Sequence, residues 1–389
     1  MRVTHIITRL VIGGAQENTL ATVGGLCQLD NVEVKLISGP TTGPEGSLED
    51  EARKIPDLLT IVPELVRPVH PLKDLIALNK LEKLIRAQNP DIVHTHSGKA
   101  GILGRLAAQR AQVPIIIHHI HGPSFGPFQG RLANFVFKAA EKKAAKFTDH
   151  FFCSANAMTK LYLAAGIGDP DMYTRLFSGF RLSPFVEATN DLALRAKLGL
   201  APEHFVIGKV ARLFWLKGHA DMVTAFAKVV GQMPSARLLL VGDGLLRSEI
   251  EQQVNALGLK GKVIFAGLVA PAEVARYIGI MDCVAHLSWR EALSRALPQA
   301  LAAGKPVVAY DFDGADEICQ ENQTGFLVRS GDTGRAAERL LQLAKDPLLR
   351  ERLGQTGQAF VLKNFSTQKM VTDQYALYRR LADEYGITP

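Results

Sequence analysis

The sequence predicts an α/β protein of two domains, each a parallel sheet covered by helices. Three observations carry that prediction. At 389 residues the chain is longer than one hydrophobic core usually serves. Apolar runs of strand length alternate with helically spaced segments along both halves, the pattern of strand–helix–strand units. The stretch 285–328 shows the unit most plainly: the apolar run from Met281 to Leu287 ends a strand, Glu291 opens a helical segment, and Gly304 stops it. Lys305-Pro306 then turns the chain into a second strand at 307–310. Such sheets bind ligands beyond the carboxyl ends of their strands, where helix N-termini offer free N–H groups to anions, and Glu291 falls at such a point.

Hydrophobic residues make up 47% of the chain and charged residues 21%, which excludes a disordered protein. A net charge of +7 favours anionic ligands or an anionic membrane surface. The basic residues are dispersed and lack an aromatic platform, so nucleic acid is not an expected partner. Cys27, Cys153, Cys283 and Cys319 are far apart and set mostly in apolar surroundings, as buried thiols of a reducing compartment are. The chain enters a strand at once, without a signal-length apolar leader, and no run reaches the about 18 apolar residues that a spanning helix needs. The expected location is therefore cytoplasmic, with peripheral contact at the cytoplasmic membrane face as the one membrane role.

In the first half, residues 3–7 read as a strand, 8–14 as a loop and 15–26 as a helix. Gly13-Gly14 permits close backbone approach at a helix N-terminus, which suits a diphosphate and equally an ordinary tight turn. It is neither the dinucleotide fingerprint nor a P-loop. A strand at 32–38, a loop at 39–46, a short strand within 58–66 and an amphipathic helix at 72–88 follow. Residues 91–98 run from a strand into a polar turn, with His94 and His96 on one side, before a helix at 99–110. The strand 113–119 opens into His118-His119-Ile120-His121. No Asp, Glu or Cys stands nearby to complete a metal set, and no metal is expected. His118 and His119 are expected to hydrogen-bond backbone under the loop; a histidine at the strand's carboxyl end can meet a sugar hydroxyl near neutral pH.

Beyond the 122–130 loop, residues 131–147 form a basic helix with Leu132, Phe135, Val136 and Phe147 set against Arg131, Lys138, Lys142, Lys143 and Lys146. A packed helix with a solvated basic face is the expectation, and contact with an anionic membrane the alternative. A strand at 150–154, a helix at 156–165 and a short strand at 175–178 lead to a polar piece, 181–191, that reads as the interdomain linker.

The second half repeats the alternation without repeating the sequence. Strands are expected at 204–210, 237–241, 262–265 and 282–286, and helices at 220–230, 247–257 and from Pro271 toward Ile278. Arg212 and Lys217, five apart across a turn, can converge on one polyanion, arginine as a fork and lysine as a point charge. Gly242-Asp243-Gly244 turns one strand into its helix, and Leu268 stands just past the next. Asp311-Phe312-Asp313 has metal-motif spacing but reads as a surface turn. Residues from Asp332 to about Leu362 are helical, and Phe365 opens a last helix anchored by Met370, Tyr375, Tyr378 and Leu381. Two Rossmann-like domains facing one another are the result.

Gly13-Gly14-Ala15-Gln16, the DIVHTH strand end, Arg212 with Lys217-Gly218, Gly242-Asp243-Gly244 and the stretch opening at Glu291 occur in one order over nearly the whole chain. In that order they resemble the retaining glycosyltransferases of the GT-B fold, specifically glycosyltransferase family 4. The resemblance implies two Rossmann-like domains around a central interdomain cleft, residues 1–182 for the acceptor and 183–364 for the nucleotide sugar. A C-terminal helix, 365–389, would cross back to the first domain.

What the resemblance implies for the site is residue by residue. Arg212 and Lys217 neutralise the donor diphosphate, with Gly13 and the Gly14 amide near the same group and Gly242 in the donor loop. Glu291 holds hydroxyls of the transferred sugar, assisted by backbone N–H groups of Ala292, Leu293 and Ser294. Leu268 lies beside the nucleobase. His121 contacts the sugar near the reacting centre and, with His96 and Ser124, meets the acceptor. The family's motif usually ends in a second glutamate that binds ribose, eight residues on, where this chain has Gln299. Glutamine still accepts through its carbonyl but loses the charge-assisted component. Along a helix that span would cover about 12 Å. Ala292 and Ser294 also replace the usual glycine and proline.

The expected reaction is transfer of a hexosyl-type sugar from a nucleotide diphosphate sugar, UDP-linked with GDP as the alternative, to a hydroxyl of a sugar, lipid-linked sugar or metabolite. No metal or other cofactor is expected. The rival reading is a non-catalytic or hydrolytic nucleotide-sugar-binding protein on the same fold.

Overall fold

The computed structural model describes residues 1–42, 46–96, 98–126 and 128–387. Part of the 39–46 loop, Ser97 of the polar turn, Pro127 of the 122–130 loop and the last two residues of the chain lie outside them. The chain divides into two compact units, Met1–Phe180 with Thr367–Pro389, and Arg181–Ser366.

The first unit holds seven parallel strands: β1 (Arg2–Ile7), β2 (Glu33–Ser38), β3 (Leu59–Ile61), β4 (Ile92–His96), β5 (Ile115–Ile120), β6 (His150–Cys153) and β7 (Tyr173–Arg175), in the order β3-β2-β1-β4-β5-β6-β7. Side chains alternate across the strands, so each apolar run supplies two faces. Val3, Ile7, Ile92, Ile117 and Phe152 meet the helices Gly14–Leu26 and Thr367–Glu384, the latter through Met370, Leu377, Tyr378 and Leu381. Ile6, Val93 and Ile116 meet Pro71–Gln88 and Gly98–Arg110 on the other face. Pro71–Gln88 has strong end signals: the His70 ring accepts from the Lys73 N–H at 3.3 Å, and Asn89 stops the helix with φ of 43°.

The second unit holds β8 (Phe205–Val210), β9 (Ala236–Val241), β10 (Val263–Gly267), β11 (Cys283–His286), β12 (Val307–Asp311) and β13 (Gly325–Arg329), ordered β10-β9-β8-β11-β12-β13. All neighbouring pairs are parallel. In each sheet the winding reverses once, between β1 and β4 and between β8 and β11. Those switch points are where such sheets bind ligands.

Several expectations need correction. Glu291 does not open a helix: Ala296–Ala302 is the helical piece, so the helical rise between Glu291 and Gln299 does not apply. The strand expected at 175–178 lies at Tyr173–Arg175, pairing with Phe151–Cys153. Within the expected linker, Ser183–Val186 is helical and Phe185 is buried; the Gly279 Cα faces Thr189 so closely that a Cβ would come 2.5 Å from the Thr189 carbonyl. This segment is therefore part of the second unit's packing. The expected helix 332–362 is two, Thr333–Lys345 and Pro347–Asn364, divided where Asp346 caps Pro347. The last helix starts at Thr367, and β13 had no counterpart in the sequence reading.

The basic helix Arg131–Ala145 is the largest departure. Only Glu141 and Ala144 are buried on it, while Leu132, Phe135 and Val136 are 77%, 69% and 52% exposed. It is held instead by a buried ion pair, Glu141 accepting from Arg105 at 2.6 Å. The apolar stripe that was expected to pack faces outward.

Candidate active site

At the second sheet's switch point, glycines join the loops that follow β8 and β11. Gly218 has φ of 61°, and a Cβ there would stand 1.6 Å from the Leu287 carbonyl oxygen. The Trp289 N–H donates to the Leu216 carbonyl at 2.9 Å. The Trp289 indole and the Tyr310 hydroxyl both donate to Asp221, at 2.9 and 2.8 Å. His219 Nε2 donates to the Arg212 carbonyl at 2.9 Å and holds that end of the loop. Gly242, with φ of 133°, lets the β9 loop run against Ala211, where a Cβ would come 2.2 Å from the carbonyl oxygen.

These closures bring Lys217 onto Glu291, whose carboxylate accepts from the lysine ammonium. His286 lies 3.4 Å from the same carboxylate oxygen. Burial alone would raise the Glu291 carboxyl; His286 and Lys217 outweigh it and hold it down to about 2. The Glu291 N–H donates to Asp313 at 2.8 Å, and Asp313 is itself in the left-handed region with φ of 51°. Asp313, read from sequence as a surface turn, thus orients the Glu291 backbone. Lys209 lies on β8, fully buried with no hydrogen-bond partner for its ammonium. Burial, with the Lys217 charge behind it, pushes its pKa down to about 7.

At the first sheet's switch point, register places histidines side by side. β1 and β4 pair His5 with His94, and β4 and β5 pair His96 with His119. His121 follows β5. His5 Nδ1 bonds His96 Nε2 at 2.9 Å, and His96 Nδ1 bonds His121 Nε2 at 3.0 Å. His119 stacks on His121 with ring centres 3.9 Å apart. Tyr378 of the last helix bonds His94 Nδ1 at 2.5 Å and accepts from Gln374 at 2.7 Å. Burial pushes His5 and His121 down to about 3 and also holds His94, His96 and His119 well below the ordinary imidazole value, so the row is neutral at pH 7. Ring nitrogens of His5, His94 and His96, and of His96, His119 and His121, fall within 4.8 Å of one another in each trio. One pair in each trio stacks, His94–His96 at 27° and His119–His121 at 17°, and His96 already engages both its nitrogens with other rings.

The expected site residues distribute as follows. His96 is fully buried with both ring nitrogens engaged, so it reaches a ligand only through His121. His118 and His119 bond side-chain hydroxyls instead of backbone, Thr95 at 2.9 Å and Ser154 at 3.5 Å. Ser124 accepts from the Tyr162 hydroxyl at 3.3 Å. Gly13 caps the helix Gly14–Leu26, its carbonyl accepting from the Glu17 N–H at 2.9 Å. Leu268 is 80% exposed, Ala292 and Ser294 are buried in a non-helical turn, and Gln299 lies on Ala296–Ala302. Sequence reasoning missed His5, Lys209, Asp313 and His286. The alternation of His94 and His96 was the one signal that could have raised the question of what else shares their face.

Two family profiles match the chain, one described as a glycosyl transferase 4-like domain over residues 13–175 and one as glycosyl transferases group 1 over residues 190–360. The chain is a glycosyltransferase of the GT-B fold, related to family 4. This glycosyltransferase is 28% identical, over 90% of its own length and 89% of the relative's, to the UDP-Gal:alpha-D-GlcNAc-diphosphoundecaprenol alpha-1,3-galactosyltransferase of Escherichia coli. It is 24% identical to the capsular polysaccharide biosynthesis glycosyltransferase CapM of Staphylococcus aureus, over 84% of its own length and 86% of the relative's. Its fold matches HepE of Anabaena, solved in complex with UDP, with a TM-score of 0.82, 22% identity and coverage of 98% and 100% of the two chains. The returning helix Thr367–Glu384 belongs to this architecture.

Proposed function

We propose that this glycosyltransferase moves a hexosyl residue from a UDP-sugar to a hydroxyl of a lipid-linked acceptor, with retention of anomeric configuration. The Lys217–Glu291 ion pair at the second switch point carries the reading. Lys217 and Arg212 meet the charge that develops on the departing diphosphate, and Glu291 holds sugar hydroxyls. Gly14 contributes its amide to the diphosphate, and His121 contacts the sugar. The acceptor hydroxyl attacks the anomeric carbon on the face the diphosphate leaves, its proton passing to the leaving phosphate oxygen, with no protein nucleophile. UDP is favoured as the nucleotide because HepE was solved with it.

The outward apolar stripe supports the acceptor class. Leu132, Phe135 and Val136 stand exposed on a helix that also exposes Lys142 and Lys143, the arrangement of a helix lying on an anionic surface. The E. coli relative acts, by its name, on a diphosphoundecaprenol-linked sugar. Among the described residues no helix is long and apolar enough to cross a membrane.

A panel of nucleotide sugars screened for protection against thermal unfolding tests the donor: UDP-sugars should raise the midpoint, and protection by GDP-sugars alone would overturn the base. Co-flotation with phosphatidylglycerol vesicles tests the surface. The wild type should float and the Leu132→Asp/Phe135→Asp variant should not; equal recovery of both would remove the membrane role.

A further inference from the structure

The three histidines His5, His96 and His121 form a chain in which each ring can hold only one proton while neutral. His96 uses both nitrogens, so it donates at one and accepts at the other. The tautomers of all three rings are therefore locked together, and only two arrangements satisfy both bonds. In the first, His5 Nδ1–H donates to His96 Nε2, His96 Nδ1–H donates to His121 Nε2, and His121 carries its proton on Nδ1. In the second every proton is reversed, which leaves a proton on His5 Nε2 and a bare lone pair on His121 Nδ1.

The buried end decides between them. His5 is fully buried and its Nε2 has no hydrogen-bond partner. A proton there would be a donor sealed from water without an acceptor, and orphaned buried N–H groups are the rarer and more costly defect. His121 sits at the other end, half-buried, with its ring clamped by His119 at 3.9 Å.

We infer that His5, acting through His96, is a positioning residue that fixes His121 as the Nδ1–H tautomer, so that the glycosyltransferase presents a hydrogen-bond donor and not a lone pair to its ligand. The ligand at that nitrogen is an acceptor oxygen, such as a sugar hydroxyl oxygen or an acceptor oxyanion, and a group that can only donate is disfavoured. This functional consequence rests on the proposed contact between His121 and the transferred sugar; the tautomer itself does not. The lone histidine of β1 thus sets specificity at a nitrogen two rings away.

Long-range proton–nitrogen correlation on the protein carrying ¹⁵N-histidine tests the assignment, with the His121 signals identified by their loss in His121→Ala. The unliganded wild type should show His121 protonated at Nδ1 and bare at Nε2 at pH 7.5. The opposite tautomer would overturn the inference without any variant having to fold. His5→Phe keeps an aromatic ring but removes the donor, and both His121 tautomers should then be populated. His5→Asn places an amide N–H where Nδ1 stood and should restore the single form. In steady-state transfer, His5→Phe should lower kcat about tenfold with the donor KM little changed, and His5→Asn should recover most of it. Equal losses in both variants with the His121 tautomer unmoved would mean that His5 only fills space, and would overturn the inference. A shifted tautomer with transfer intact would uphold it and remove His121 from the proposed sugar contact.

Discussion

Lys217 and Glu291, 74 residues apart in sequence, form an ion pair at the carboxyl ends of β8 and β11. The cation we propose for the diphosphate is thereby held in place by the acid we propose for the sugar. Each orients the other before any ligand arrives, which lowers the reorganisation that binding would cost.

Lys217→Ala should therefore lower kcat/KM by about two to three orders of magnitude, the usual loss when one preorganised charge partner is removed. The fold should survive, because both side chains are partly exposed. Circular dichroism and transfer kinetics measured on one preparation check this; near-wild-type transfer would discard the diphosphate role.

Restoring the second acid with Gln299→Glu should tighten UDP binding about five- to tenfold, the worth of a charge-assisted over a neutral hydrogen bond. Titration calorimetry reads the change directly. Unaltered affinity would mean that the ribose is held by other groups.

Lys209→Met should stabilise the protein at pH 7 by roughly 2–4 kcal/mol, since it replaces a buried, unpartnered amine with an apolar side chain of similar length. The pH dependence has a definite sign. Between the folded value of about 7 and the ordinary value of 10.5 the unfolded chain binds the extra proton, so wild-type stability rises with pH across that window. The variant's advantage should shrink from pH 7 toward 10. Urea unfolding at three pH values within that window would expose a constant advantage, which would contradict the buried-amine account.

The histidine row makes the first unit acid-labile. Its rings are neutral when folded, with His5 pushed from 6.5 down to about 3. Their contribution to stability is complete above pH 6.5 and is lost as pH falls from there toward 3, where the unfolded chain takes up protons that the folded one refuses. Each buried ring adds at most about 1.4 kcal/mol per pH unit to that slope. Melting midpoints should fall steeply between pH 7 and 5, and a flat profile would show that the rings are accessible to protons in the folded state.

Much of this architecture was legible because it depends on local patterns. Strands flanked by Gly and Pro, and helices with end signals such as His70-Pro71 and Asn89, need no distant partner to be read. Lys217 and Glu291 were legible singly, through loops whose glycines and charges are themselves local. Their pairing was not, since it is made by the β8–β11 adjacency. His5 escaped for the same reason: an isolated histidine in an apolar strand becomes informative only once register sets it beside His94. The helix expected from Glu291 starts late: the Glu291 N–H donates to Asp313 across the site, and helical geometry begins only beyond Arg295. The Arg131–Ala145 stripe was misjudged because amphipathicity states that a face is apolar, not what covers it.

The return of Thr367–Glu384 to the first sheet has a consequence for the order of assembly at the ribosome. The second unit is one unbroken stretch, while the first needs residues from both ends of the chain. Synthesis at about 5–20 residues per second makes the N-terminal sheet wait for its cover. Until Tyr378 and Met370 emerge, the face bearing His94 has no lid from the last helix. The half that is begun first is thus finished last. A nascent chain arrested at Ser366 should bind a dye for exposed apolar surface that the released full-length chain does not bind.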